Sequence, residues 1–266
     1  MKPRIAVVLF PGTNSENETQ RALAAAGLDA EIVHWSRGSA ALRAFDAYVL
    51  PGGFAYEDRV RAGAVAAHDE AMDAVIAGAQ AGKFVIGICN GAQVLLEAGL
   101  VPGTGPLRRP TAAFAPNASG RFQSVHVHVR LAVAPARVPV LAGLASGAVL
   151  LAWASHGEGR LAASATELDA LERDGHVAFV YCNARGERVP APNGSAREIA
   201  GLTNRDGNVL AIMPHPERDA WTFMHRDGDP AKAAARGDAQ AMLAPSGGMA
   251  FFEAFAAGLA AAPSVR

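Results

Sequence analysis

The sequence predicts an α/β protein: a flavodoxin-like open sheet, mostly parallel with an antiparallel extension, and helices on both faces. Three observations predict it. Short apolar runs alternate with helical stretches through the first hundred residues. The links between them are short, as strand–helix–strand units require. The second half changes to strand-like runs, alternating or apolar, with a glycine-containing turn signal.

Taken in order, Ile5-Ala6-Val7-Val8-Leu9-Phe10 reads as a buried first strand. A helix follows, opened by the capping-box spacing of Ser15-Glu16-Asn17-Glu18 and stopped by Gly27. Glu31 to Trp35 forms a second strand, and Ala47 to Leu50 a third that ends at Pro51-Gly52-Gly53. Residues from about Ala64 to Gln80 are helical, with Gly82 as the stop. A fourth strand, Lys83 to Gly87, then turns straight into a helix over Ala92 to Ala98. Beyond it, Arg121 to Ala132, Val149 to Ala154, His176 to Cys182 and Asn208 to Met213 read as strands that extend the same sheet or pack at its edge. Arg205-Asp206-Gly207-Asn208 suggests a hairpin. The whole chain, 1–266, is expected to form one domain, with a surface insertion at 225–248 and a last amphipathic helix from Met249 to Leu259.

Composition narrows the function classes. Half of the 266 residues are hydrophobic and 18% are charged, which supports a large core. A net charge of −1 without a dense basic run argues against nucleic acid. Cys89 and Cys182 cannot form a disulfide framework, so a reducing compartment is expected. The apolar run near the start is too short for a signal-peptide core or a membrane span, and the expectation is a soluble cytoplasmic protein.

The chemistry-bearing stretch is Gly87-Ile88-Cys89-Asn90-Gly91. It has the form of a nucleophile elbow, with cysteine in place of serine at a sharp strand-to-helix turn. The helix N-terminus that follows favours a thiolate. By itself the pattern also arises by chance in glycine-rich chains. A cysteine nucleophile needs a base and an orienting carboxylate, and Met213-Pro214-His215-Pro216-Glu217-Arg218 supplies both. Pro216 holds His215 in extended geometry, where residues two apart point the same way, so Glu217 sits beside the imidazole. An oxyanion hole then needs backbone amides, for which Asn90 and the Gly52-Gly53 turn are placed.

These segments, with Phe10-Pro11-Gly12-Thr13-Asn14, Arg61-Ala62-Gly63-Ala64, Asn117 to Phe122, His156-Gly157-Glu158-Gly159-Arg160, Asn193-Gly194-Ser195 and Gly207-Asn208-Val209, resemble the class I glutamine amidotransferases. More narrowly, they resemble the glutaminase subunits of phosphoribosylformylglycinamidine synthase, over residues 4–224. The resemblance implies Cys89 as nucleophile, His215 as proton shuttle and Glu217 as its orienter. It implies the Gly53 and Asn90 amides as oxyanion donors, and Gly52 and Gln93 at the bound glutamine. It also implies a partner synthetase, with or without a small accessory subunit, that uses ATP and Mg and receives the ammonia. The chain itself carries no G-x-x-x-x-G-K-[ST] loop and is expected to need no cofactor of its own. A cysteine hydrolase of the same fold, acting on a peptide or γ-glutamyl compound, is the competing reading, and a non-catalytic scaffold is the third.

The chain departs from the family pattern at Phe54-Ala55-Tyr56-Glu57-Asp58, where Phe-Ser-Tyr-Gly-Asp is usual, and at Ser15, where cysteine is common. His156 and Glu158 either line the site or shape a loop. His126 and His128 share one face of a strand without a third metal ligand, and Cys182 reads as core. Arg61 and Arg218 either meet a partner or pair with local acids.

Overall fold

The structure is a computed structural model that describes residues 2–262. Its first half contains β1 (Arg4–Leu9), α1 (Glu16–Ala25), β2 (Asp29–His34), α2 (Gly38–Leu42), β3 (Ala47–Leu50), α3 (Ala71–Gln80), β4 (Phe84–Ile88) and α4 (Asn90–Glu97). Its second half adds β5 (Ala113–Ala115), β6 (Gln123–Leu131), β7 (Val149–His156), β8 (Arg160–Ala162), α5 (Ala165–Arg173), β9 (Val177–Cys182), β10 (Ile199–Thr203) and β11 (Val209–Ile212). The helices α6 (Pro230–Ala234), α7 (Ala239–Met242) and α8 (Met249–Ala261) complete it.

Nine strands form one sheet in the order β2-β1-β3-β4-β11-β10-β9-β6-β7. The first five are parallel, and each later neighbour pairs antiparallel. The predicted extension of a parallel sheet by antiparallel strands is therefore what forms. The chain moves one way from β1 to β2 and the other way from β2 to β3 and β4. Right-handed crossovers then place α1 on the opposite face from α2 and α3. The interior strands β3, β4, β9, β10 and β11 are buried along their full length, as strands covered on both faces must be.

Several boundaries differ from the sequence expectation, each for a local reason. The helix expected from Ala64 breaks at Asp69, which is extended and caps α3 by accepting from the Ala71 amide at 2.7 Å. Ser15 forms no capping box; its hydroxyl donates to Asn14 Oδ1 and accepts from Arg218 instead. The box forms at Ser164 and Glu167, opening α5, a helix the sequence reading left out. The two three-residue strands β5 and β8 pair in a separate small sheet and were too short to recognise by pattern. β10 pairs with β11 around the predicted 205–208 turn, where Gly207 adopts φ +73°. Among the described residues, no helix is long and apolar enough to cross a membrane.

The elbow depends on two close approaches. A Cβ on Gly91 would lie 1.9 Å from the Leu50 carbonyl oxygen, and one on Gly87 would lie 2.5 Å from the Gly91 carbonyl oxygen. Gly91→Ala should therefore cost more than about 3 kcal/mol. Gly27→Ala, at φ +87° with nothing within 4 Å, tests backbone strain alone and should cost about 1–2 kcal/mol. Urea denaturation of both variants checks the difference, and equal losses would contradict the close packing.

Candidate active site

In an open α/β sheet, a crevice forms at the carboxyl ends of the strands where crossovers leave on opposite faces. Here that point lies between β1 and β3. The loops after these strands meet in a bridge between Thr13 and Gly53, with the Phe54 amide donating to the Gly12 carbonyl at 2.9 Å. β4 delivers Cys89 to the same rim, and the chain after β11 delivers His215. The four strand ends converge on one cavity of about 270 Å³ lined by Asn14, Gly53, Asp58, Cys89, Gln93, His156, Glu158 and His215, among others. That volume lies just below the roughly 300–1,000 Å³ of pockets for drug-sized ligands, so it favours a small molecule. A larger cavity of about 500 Å³ between α3 and α8 is lined mainly by alanine and glycine, so size alone does not locate the chemistry.

Cys89 occupies φ 52°, ψ −108°, a conformation costly for any residue with a side chain. Its amide donates to the Ile212 carbonyl at 2.8 Å, its carbonyl accepts from the Gln93 amide, and its sulfur lies 3.8 Å from the Ser155 carbonyl. Asn90 opens α4, so its amide has no carbonyl one turn earlier to bond. Among the described residues the Gly53 amide likewise makes no backbone hydrogen bond. The Asn90 side chain accepts from the Ala55 amide at 2.9 Å and donates to Asp58 and Gln93, tying the 54–58 loop to the elbow.

His215 is held by paired backbone bonds with Trp153 of β7 (2.8 and 3.2 Å), and its Nδ1 bonds Glu217 Oε1. The two are 1% and 0% exposed. Burial pushes the imidazole pKa down, but the negative charges of Glu217 and Cys89 outweigh it and raise the value to about 9. Nε2 is buried without an ordinary hydrogen bond, while Cys89 stands near enough to act on the ring electrostatically. The Pro-bracketed segment thus does what its spacing predicts: it sets histidine and carboxylate side by side.

The structure brings Cys89, His215, Glu217, Gly53, Asn90 and Gln93 together. Gln93 lines the cavity with its amide committed to Asn90 and to the Glu158 carbonyl at 2.5 Å. Gly52, expected at the bound glutamine, packs against the imidazole. A Cβ there would meet the His215 ring at 2.4 Å, and its carbonyl accepts from the Asn14 and Ser15 amides. Gly52 makes room for the imidazole. His156 and Glu158 line the cavity as well as shaping their loop. Arg61 pairs with Glu97 through two bonds of 2.6 and 2.5 Å, while Arg218 donates to Ser155 and Ser15 rather than to an acid. His126 bonds Asp219, and no group of three or more metal-type ligands occurs among the described residues. Cys182 is buried, and burial pushes its thiol pKa up.

Sequence reasoning missed Asn14, Ser155, Phe122 and Asp58 as cavity residues. Asn14 and Asp58 directly follow the β1 and β3 turns, a position that predicts proximity to Cys89. Ser155 and Phe122 sit on the antiparallel strands and their loops, where no local pattern points to the crevice.

A sequence profile of the CobB/CobQ-like glutamine amidotransferase domain matches residues 2–246. The chain belongs to that glutamine amidotransferase family. Within it, the chain is 44% identical over 219 residues to phosphoribosylformylglycinamidine synthase subunit PurQ of Symbiobacterium thermophilum, covering 81% of this chain and 87% of the relative. Identity to the subunit of the same name from Thermus thermophilus is 43% over 216 residues, covering 81% and 89%. Among solved structures, PurLQS from Thermotoga maritima superposes with a TM-score of 0.73 at 28% identity, over 96% of this chain and 98% of that one. The glutaminase domain of Trypanosoma brucei CTPS, with bound acivicin, shares the fold at a TM-score of 0.53 and 15% identity, over 96% and 94%.

Because the charge of Glu217 raises the His215 pKa, Glu217→Gln should lower it from about 9 toward or below about 6.5. NMR titration of the imidazole reads this directly. A raised native pKa contributes stability that is fully present below about 6.5 and lost as pH rises through about 9. The unfolding free energy of the unmodified chain should fall across that window and that of the variant should not; parallel curves would contradict the assignment.

Proposed function

We propose that this chain is the glutaminase subunit of a phosphoribosylformylglycinamidine synthase, with Cys89, His215 and Glu217 as its catalytic triad. The observation that carries the reading is the meeting of the elbow cysteine and the buried His215–Glu217 pair in one small cavity. The Cys89 thiolate attacks the carboxamide carbon of glutamine, and the carbonyl π electrons move to oxygen. The Gly53 and Asn90 amides face that oxyanion. Collapse expels the nitrogen, which takes a proton from His215 Nε2 and leaves as ammonia. A γ-glutamyl thioester remains on Cys89. Water then gives a proton to Nε2 and its oxygen attacks the thioester carbon; collapse returns the thiolate and releases glutamate. Glu217 holds the ring through Nδ1 during both proton transfers.

Ammonia passes to the partner synthetase, which converts formylglycinamide ribonucleotide to formylglycinamidine ribonucleotide. In this reading ATP and Mg are used by the synthetase, with or without a small accessory subunit, and the complex works in the cytoplasm. The chain acts as one amidotransferase domain, 1–266, with 225–248 as a surface addition. The relatives' shared name supports the pathway, and the buried triad supports the chemistry.

Cys89→Ala should abolish glutamine-dependent synthesis by the complex and leave ammonia-dependent synthesis within about twofold. Residual activity should fall by about 10⁴-fold or more, as expected when a nucleophile is lost. Steady-state assays with each nitrogen source check this. Equal loss of both activities would sink the division of labour, and survival of both would remove Cys89 from the chemistry.

A further inference from the structure

Segment 225–248 reads in the sequence as a surface insertion, yet its two ends close on the turn Pro216–Asp219 that carries Glu217. Asp219, two residues beyond Glu217, is 0% exposed. A carboxylate so buried is tolerated only when it is paired and hydrogen-bonded. His126 of β6 donates from Nε2 to Asp219 Oδ1 at 2.7 Å, and the Ser246 hydroxyl donates to Oδ2 at 3.1 Å. His225 Nε2 lies 3.6 Å from Oδ1 and also bonds the Ser246 hydroxyl. The other nitrogen of that ring bonds Asp229 Oδ1 at 3.0 Å, at the N-cap of α6, and Lys232 donates to the His225 carbonyl at 2.8 Å.

The backbone repeats the clasp. The Ser246 amide donates to the Ala220 carbonyl at 2.9 Å and the Gly248 amide to the Asp219 carbonyl at 3.1 Å. A Cβ on Gly248 would lie 2.2 Å from the Pro216 carbonyl oxygen, so the returning chain lies flush against the turn. At the other end, Trp153 donates its ring Nε1 to the Met224 carbonyl at 3.2 Å, and its ring centroid is 5.0 Å from that of His126. Trp153 is the residue whose backbone pairs with His215. Glu217 depends on support of this kind. Its Oε1 bonds His215 and its Oε2 has no partner, so among the described residues no other side-chain bond fixes the carboxylate. The backbone of the turn sets its place.

We propose that Asp219, His225 and Ser246 are positioning residues, a clamp by which segment 225–248 holds the turn carrying Glu217 and so keeps its carboxylate against the His215 ring. This rests on the glutaminase reading and gives a task in it to a segment that lies outside the cavity. None of the three touches the reacting atoms; they act through Glu217.

Activity is measured on the chain assembled with its synthetase, and the His215 pKa by NMR on the full chain. Asp219→Ala should lower kcat for glutamine-dependent synthesis by about 10²-fold and Ser246→Ala by about fivefold or more, as when a remote change misplaces a catalytic group. The KM for glutamine and the rate of ammonia-dependent synthesis should both stay within about twofold. Ser246→Thr, which keeps the hydroxyl, should retain most of kcat. In Asp219→Ala the His215 pKa should fall from about 9 toward about 6.5, because the carboxylate is no longer held against the ring. Ser246 is half-buried, so Ser246→Ala reports even where Asp219→Ala fails to fold. A folded Ser246→Ala with unchanged kcat, or a loss shared equally by glutamine and ammonia as nitrogen sources, overturns the proposal. If the unmodified complex makes no use of glutamine, the glutaminase reading fails instead.

Discussion

Everything at this site depends on the chain holding Cys89 at φ 52° between a buried strand and a helix. No residue with a side chain adopts that conformation for its own sake; it costs of order 1–3 kcal/mol and survives only where the surroundings over-determine it. Here they do. The Cys89 amide is held by the Ile212 carbonyl of the next parallel strand, and Gly91 lies against the Leu50 carbonyl of the other neighbour. The elbow is thus pinned to β11 on one side and to β3 on the other. The same two strands carry His215 and Gly53 at their ends, so the packing that strains the cysteine also sets its distance to the imidazole and to the Gly53 amide.

Two histidines in one cavity have opposite electrostatics, and the cause lies in what each ring nitrogen faces. Both are buried, which by itself disfavours the charged form. His215 faces the Glu217 carboxylate and the Cys89 sulfur, and its proton is held more tightly than usual. His156 faces the Asn117 amide oxygen and the positive charge of His215, and it stays neutral. A charged imidazole and a neutral one therefore line the same cavity. The buried His215–Glu217 pair also leaves Glu217 Oε2 without a partner, a desolvation cost that selection for stability alone would not retain.

The parallel half of the fold and the core of the site were legible in the sequence because each is written locally. Four-to-six-residue apolar runs ending in glycine define β1, β3 and β4, and prolines on both sides of His215 define its backbone. What was not legible depends on contacts between distant segments. Ser15 carries a capping-box spacing, yet its hydroxyl is engaged by Arg218 from 203 residues away. Gly52 reads as a turn residue, and only the folded chain reveals that the His215 ring occupies the space its side chain would fill. β5 and β8 have no pattern of their own because three residues cannot display a period. α5 is an omission that the sequence did mark, through Ser164 and Glu167.

The 54–58 loop shows how a family pattern is kept after a residue that eased it has gone. Tyr56, Glu57 and Asp58 all adopt positive φ, between 52° and 58°. A glycine at the middle position, usual in the family this chain resembles, would relieve about 1 kcal/mol of that strain. Glu57 offers no compensating contact beyond an exposed ion pair with Arg59, which is worth little. The loop is instead fixed from outside. Tyr56 donates its amide to Pro11 and its hydroxyl to Asp69, and Asn90 grips Ala55 and Asp58 through both ends of its side chain. Asn90 therefore has two tasks at once: it opens α4 directly after Cys89 with its backbone amide free of a helical partner, and its side chain sets the loop that carries Asp58 into the cavity. That coupling explains why the residue after Cys89 is an asparagine, when the elbow geometry alone would accept any residue whose amide is free.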